Sequence, residues 1–287
     1  MANALCQQLG LKGEESCLLN PASSGTMLSS EPNSDINQGP MLVKPRISAP
    51  SVVHVWAASL EVPASILARF QKLLSQDELS RASRYHFEKD RNRFVAARGW
   101  LRELLGACIS IPPAALDFKY GPKGKPALAD SVISNRLEFN LAHSENLALV
   151  AIAQGVPVGV DLERIRFLPQ QEDLVTRFFS KREMAQFKSL LENQKSPSFF
   201  RLWTRKEAWL KATGEGIAHL LGQVEVSFLP GESARLLRLP DGFSRLSQWS
   251  LYDVVAKPCF VAAVAIPVPD VQIRFKRWEH GRMEFRL

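Results

Sequence analysis

The sequence predicts an α+β chain made of two similar halves, and three observations carry that prediction. Short apolar segments of strand character and longer segments of helical periodicity follow one another in the same order twice over. Gly99-Trp100-Leu101-Arg102, late in one predicted helix, is echoed by Ala208-Trp209-Leu210-Lys211, 109 positions on. The run Ala148-Leu149-Val150-Ala151-Ile152-Ala153 returns as Val261-Ala262-Ala263-Val264-Ala265-Ile266 after 113 positions. A duplicated subdomain explains all three. The alternative is chance likeness between two amphipathic helices and two buried strands.

Taken in order, residues 1–46 are rich in Ser, Asn, Gly and Pro without apolar periodicity, which predicts a flexible N-terminal tail. An N-terminal subdomain then spans 47–157. It opens with a strand over Val52–Ala57, followed by helices over Pro63–Leu74 and Gln76–Phe87. A longer helix over Asp90–Leu105 is stopped by Gly106 and the Pro112-Pro113 pair. After the glycine-containing loop Lys119–Pro126 come strands near Leu137–Leu141 and Leu147–Ala153. The C-terminal subdomain, 158–287, is entered by a strand over Val156–Glu163. Helices over Gln171–Phe178, Lys181–Leu191 and Phe199–Thr213 precede strands near Val224–Phe228, Trp249–Val255 and Phe260–Ile266.

The chain has 287 residues, 46% of them hydrophobic, enough for a substantial core. Its longest apolar runs, Leu147–Ala153 and Cys259–Ile266, fall well short of the roughly 20 residues of a membrane-spanning helix. No basic start followed by an apolar stretch and a cleavage site opens the chain, so a cytoplasmic protein without a membrane partner is expected. Cys6, Cys17, Cys108 and Cys259 lie far apart and suggest neither a disulfide framework nor a zinc site, so reduced thiols are expected. The net charge is +7, and the first 46 residues are close to neutral, so the positive field belongs to the folded part. Such a field suits nucleic acid, a phosphorylated small molecule or an acidic protein. Without a zinc spacing, an RNA-binding aromatic motif or a recognition-helix pattern, no nucleic-acid partner is expected.

Two segments concentrate the chemistry. In Gly159-Val160-Asp161-Leu162-Glu163 the strand period places Asp161 and Glu163 on one face and Leu162 on the other. Paired carboxylates at a strand end are suited to a hard cation such as Mg²⁺, which takes oxygen ligands; a solvated strand end is the plain alternative. In Trp203-Thr204-Arg205-Lys206-Glu207-Ala208-Trp209-Leu210-Lys211, helical periodicity puts Glu207 inside the apolar stripe of Phe199, Phe200, Trp203 and Leu210. A carboxylate there needs positive charge: either Lys211 one turn on, or a cation shared with Asp161 and Glu163. Arg81, Arg84, Arg91, Arg93, Lys119, Lys123 and Lys125 are candidates for phosphate, and His143 is a candidate donor.

The two segments together resemble the signature of the Sfp-type 4'-phosphopantetheinyl transferases. Gly124-Lys125-Pro126, Phe139-Asn140-Leu141-Ala142-His143-Ser144 and Phe178-Phe179-Ser180 stand in the order that family shows. The resemblance runs from about Val52 to Ile266 and implies the fold of that family. Two similar α/β subdomains, related by a pseudo-twofold, are each a small, mainly antiparallel sheet packed with helices, with coenzyme A between them. It implies Mg²⁺ on Asp161, Glu163 and Glu207. Coenzyme A contacts are implied for Arg81, Arg93, Lys125, His143, Ser144, Lys206 and Lys211, with Glu207 as general base and Lys211 beside it. The implied reaction moves the 4'-phosphopantetheine arm of coenzyme A onto a serine of an apo acyl or peptidyl carrier protein. A duplicated chain could close its site as a monomer, the state expected here. Ala142 departs from the serine that many relatives carry, and Glu78 stands where some have lysine.

Overall fold

The computed structural model describes residues 51–129, 137–215, 220–243, 245–279 and 282–284; the predicted tail lies outside them. The first half runs β1 (Val52–Ser59), α1 (Ala64–Gln71), α2 (Gln76–Ala82), α3 (Glu88–Ile109), β2 (Phe118–Tyr120), β3 (Pro126–Leu128), β4 (Leu137–Ser144) and β5 (Leu147–Gln154). The second runs β6 (Gly159–Arg164), α4 (Gln171–Phe178), α5 (Lys181–Lys188), α6 (Glu192–Thr213), β7 (Glu225–Val226), β8 (Leu236–Arg238), β9 (Ser250–Asp253) and β10 (Phe260–Ile266). β11 (Gln272–Glu279) and β12 (Arg282–Glu284) close the described chain.

The repeat is visible in the topology. In one sheet β5 lies between β1 and β4, and in the other β10 lies between β6 and β9. All four of these pairings are antiparallel. Each half sends three helices over one face, and the last of them, α3 or α6, is 22 residues long in both. The symmetry is broken by β11, which pairs parallel with β1 and carries β12 at the edge of the first sheet. A boundary at residue 157 therefore leaves two C-terminal strands in the first half's sheet. The alternation of Val271, Ile273 and Phe275 with Gln272, Arg274 and Lys276 is the sequence signal for β11, and the expected strand list stopped short of it.

Both faces of each sheet are covered. Val53, Val55, Leu149 and Ala151 of the first sheet meet Val160, Leu162, Val264 and Ile266 of the second in a core between the sheets. The opposite faces pack on helices: Trp56 and Val150 beneath α3, Ala263 and Ala265 beneath α6. Strands buried on both sides carry no polar alternation, which is why β5 and β10 read as continuous apolar runs.

Local chemistry sets the helix ends. Ser180 caps α5 by accepting the Glu183 N–H, while the Glu183 carboxylate accepts the Ser180 N–H. α3 ends at Ser110 and α6 at Gly214, both in the left-handed region. α6 begins at Glu192 and not at Phe199, because Pro197 lies in its second turn, where the missing N–H removes one bond without ending the helix. Cys108 is a free thiol.

α6 crosses β6 at very short range. A Cβ on Gly159 would lie 2.0 Å from the Ala208 carbonyl oxygen and 2.3 Å from the Ala212 nitrogen. Those are backbone atoms and cannot turn aside. Gly159→Ala should therefore lower stability by about 3 kcal/mol or more. Gly222→Ala, whose nearest contact is an ordinary 3.6 Å, should stay within about 1 kcal/mol of wild type; urea titration of both variants measures the difference.

Candidate active site

β6 presents Asp161 and Glu163 toward α6, opposite Ala263 and Val261 of β10, while Val160 and Leu162 point into the core between the sheets. The period-two expectation for this strand is met. α6 brings Glu207 to the same place, 1% exposed. Among the described residues neither Glu207 oxygen has a hydrogen-bond partner, and Oδ2 of Asp161 has none either. Lys211 Nζ donates to Asp161 Oδ1 at 2.5 Å. The lysine one turn on from Glu207 thus pairs with the β6 carboxylate, leaving Glu207 without a hydrogen bond or ion pair among the described residues.

The charge pattern follows from this burial. Desolvation, then the Asp161 charge, push the Glu207 carboxyl up to about 7, with Lys211 opposing. Glu163 is pushed up to about 7 by burial and by Asp161, against the pull of Arg166. Burial disfavours the Lys211 ammonium, but Asp161 and Glu207 outweigh it and raise its pKa.

Above the carboxylates opens a cavity of about 390 Å³ whose walls come from both halves. Glu207, Leu210 and Lys211 of α6 form one side; Arg81, Phe94, Arg98, Tyr120, Lys123, Lys125, Asn140 and His143 form the others. Its volume lies within the range of small-ligand sites. Lys125 reaches across from the first half to donate to the Val158 carbonyl at 3.1 Å and the Ala212 carbonyl at 3.4 Å. Burial lowers its pKa, partly offset by Glu138. The Arg81 guanidinium lies 4.2 Å from the Tyr120 ring centre, stacked on its face.

Six of the expected residues, Arg81, Lys123, Lys125, His143, Glu207 and Lys211, line this cavity, and Asp161 adjoins it through Lys211. Three others are engaged elsewhere. Lys206 does not face phosphate: its ammonium is fully buried at 2.5 Å from Glu183 and 2.6 Å from the Leu221 carbonyl oxygen. It anchors α6 to α5 as half of an internal ion pair. Arg93 is held by Glu145 and Glu61 outside the cavity lining. Ser144 is 2% exposed and bonds Glu163 and the Arg164 N–H instead of facing the cavity.

Arg98 was missed. It lines the cavity with its guanidinium held by Glu78 at 2.6 Å and by the Tyr120 hydroxyl at 3.3 Å. Glu78, 1% exposed, also binds Arg102 at 2.7 Å, so the residue that departs from the lysine of some relatives is a buried anchor for two arginines. The signal was available: Arg98 and Arg102 stand one turn apart among Val95, Trp100, Leu101 and Leu105, and charges in an apolar stripe need partners.

A basic cavity meeting buried carboxylates between two like halves defines an enzyme that handles a phosphorylated substrate. Comparison with known proteins makes this specific. Residues 157–265 match the 4'-phosphopantetheinyl transferase superfamily, and residues 61–155 match the N-terminal region of a 4'-phosphopantetheinyl transferase. The 4'-phosphopantetheinyl transferase HetI of Nostoc sp. is 44% identical over 214 residues, covering 75% of this chain and 87% of that protein. The 4'-phosphopantetheinyl transferase Sfp of Bacillus subtilis is 24% identical over 176 residues, covering 61% of this chain and 75% of that one. The chain belongs to the 4'-phosphopantetheinyl transferase superfamily, whose enzymes transfer the phosphopantetheine arm of coenzyme A to carrier proteins.

The buried carboxylates predict a pH dependence. A folded pKa of about 7 against an ordinary 4.5 for Glu163 and Glu207 gives stability that is present below about pH 4.5 and lost as pH rises through about 7. In EDTA the wild-type melting temperature should fall between pH 5 and 8. Glu207→Gln should flatten that fall, by an amount on the order of 1–3 kcal/mol at pH 8, measured by calorimetry.

Proposed function

We propose that Asp161, Glu163 and Glu207 hold a Mg²⁺ ion and that Glu207 is the general base for transfer of phosphopantetheine from coenzyme A to a carrier-protein serine. The observation that carries this reading is the set of buried oxygens without a hydrogen-bond partner among the described residues: Asp161 Oδ2 and both Glu207 oxygens. Hard anionic oxygens from two elements fit a hard cation, which would compensate charges that Lys211 alone offsets in part. Among the described residues no three such side chains are gathered tightly enough to hold an ion as they stand. The fit therefore rests on donor chemistry and on the unsatisfied oxygens, and Lys211 is the group that must yield part of its hold on Asp161. When bound, the ion would supply Lewis-acid stabilisation of charge on the pyrophosphate.

The chain's own residues do the rest. Arg81, Arg98, Lys123, Lys125 and His143 surround the cavity with donors for the phosphates of coenzyme A. Glu207, on the cavity wall, takes the proton of the carrier serine. The serine oxygen forms a bond to the phosphorus bearing the pantetheine arm, and the bond from that phosphorus to the oxygen of 3',5'-ADP breaks. Lys211 lies beside the reacting carboxylates and offsets charge spreading over the phosphoryl oxygens. A duplicated chain can close its site alone, and a monomer is the proposed active unit.

Incubation of an apo acyl carrier protein with this enzyme, coenzyme A and Mg²⁺ should add the mass of one phosphopantetheine arm, read by intact-protein mass spectrometry. EDTA should abolish the gain, and Asp161→Ala or Glu207→Gln should slow it at least ~100-fold. Near-normal turnover in either variant would exclude the proposed metal site. Because the folded part is basic, raising the salt concentration should raise the apparent KM for an acidic carrier more than it lowers kcat.

A further inference from the structure

β4 and β6 are neighbouring edges of different sheets, and they are joined by side chains in place of a ladder. Asn140 Oδ1 accepts the Val160 N–H at 2.8 Å, and four residues along, Ser144 Oγ accepts the Arg164 N–H at 3.1 Å. The second contact has a further effect. With that amide bonded to its oxygen, the Ser144 hydroxyl turns its proton to Glu163 Oε2, 3.0 Å away. The Arg166 guanidinium reaches the same oxygen at 3.5 Å, while it also donates to the Arg164 carbonyl at 3.3 Å and lies 4.9 Å from the Phe200 ring centre. Both contacts fall on Oε2, and Oε1 carries no hydrogen bond among the described residues.

We propose that Ser144, together with Arg166, is a positioning residue for the cation site: it fixes the Glu163 carboxylate by Oε2 and leaves Oε1 for the ion, and it makes no contact with coenzyme A. This deepens the proposed function and rests on the assignment of Asp161, Glu163 and Glu207 as metal ligands. The physical reason is general. A buried carboxylate free to rotate loses affinity through the entropy of holding it, and a hydroxyl anchored on a neighbouring strand removes that freedom before the ion arrives. Ser144 is suited to the task because its single proton and its acceptor oxygen are both committed, one to the ligand and one to the strand that carries the ligand.

The test compares Mn²⁺ affinity, followed by electron paramagnetic resonance of the free ion, with coenzyme A affinity in EDTA, measured by calorimetry on the full-length protein. Ser144→Ala should weaken Mn²⁺ binding about 10- to 100-fold while leaving metal-free coenzyme A affinity within about twofold. Ser144→Thr, which keeps the hydroxyl, should recover most of the loss. If Ser144→Ala fails to fold, Arg166→Gln must show the same selective weakening, and its absence overturns the proposal. Unchanged Mn²⁺ affinity in Ser144→Ala, with Asp161→Asn strongly weakened, removes Ser144 from the site and leaves the metal ligands standing. Equal losses of Mn²⁺ and metal-free coenzyme A affinity make Ser144 a ligand contact and overturn the proposal. Mn²⁺ binding unaffected by Asp161→Asn and Ser144→Ala alike overturns the metal-site assignment and the positioning role with it.

Discussion

The site depends on how closely α6 lies on β6. At Gly159 the helix backbone sits where any side chain would be, and that contact brings Glu207 from one element beside Asp161 and Glu163 from another. Bringing these carboxylates together in a buried place is unfavourable, as the raised pKa values of Glu163 and Glu207 record. The aromatic packing of Phe199, Trp203 and Trp209 and the internal Lys206–Glu183 pair hold the helix in place against that repulsion. Stability stored in the helix packing is thus spent on a cluster that only positive charge can relax.

How much of this was legible in the letters depends on whether a residue's environment is local. Asp161 and Glu163 were readable from strand alternation, and Glu207 from its place in an apolar helical stripe, because both patterns are set within a few residues. The repeated halves were readable because both copies retain a Trp at matching helix positions and an apolar central strand. Lys206 was misjudged for the opposite reason. One residue from Glu207 on the same helix, it points to a different face, and its partner Glu183 comes from α5. The resemblance implies a ligand contact for Ser144; only the tertiary approach of β6 shows that its hydroxyl is already engaged. β11 is legible in its own alternation, but its parallel pairing with β1, at the other end of the described chain, is not.

The halves share a scaffold but divide the chemistry. The offset of 109 that aligns Trp100 with Trp209 also aligns Arg98 with Glu207 and Arg102 with Lys211. Likewise Trp56, opposite Val150, and Ala58, opposite Ala148, occupy the places that Asp161 and Glu163 hold opposite Ala263 and Val261. Equivalent positions thus carry a bulky aromatic and a small apolar residue in one half and two acids in the other. Arg98 and Glu207 nonetheless face the same cavity, so the cavity has a cationic wall and an anionic wall built from one repeated plan.

That division follows from the two copies being covalently joined. Two separate, identical halves meeting across a twofold axis would place the same side chain at both positions, arginine facing arginine or glutamate facing glutamate. Joined in one polypeptide, each copy can change without the other. The departure of the C-terminal strands into the first sheet is a second expression of the same freedom. Linkage within one chain therefore lets a near-symmetric framework enclose an asymmetric cavity, with arginine on the wall from one half and glutamate at the matching position from the other.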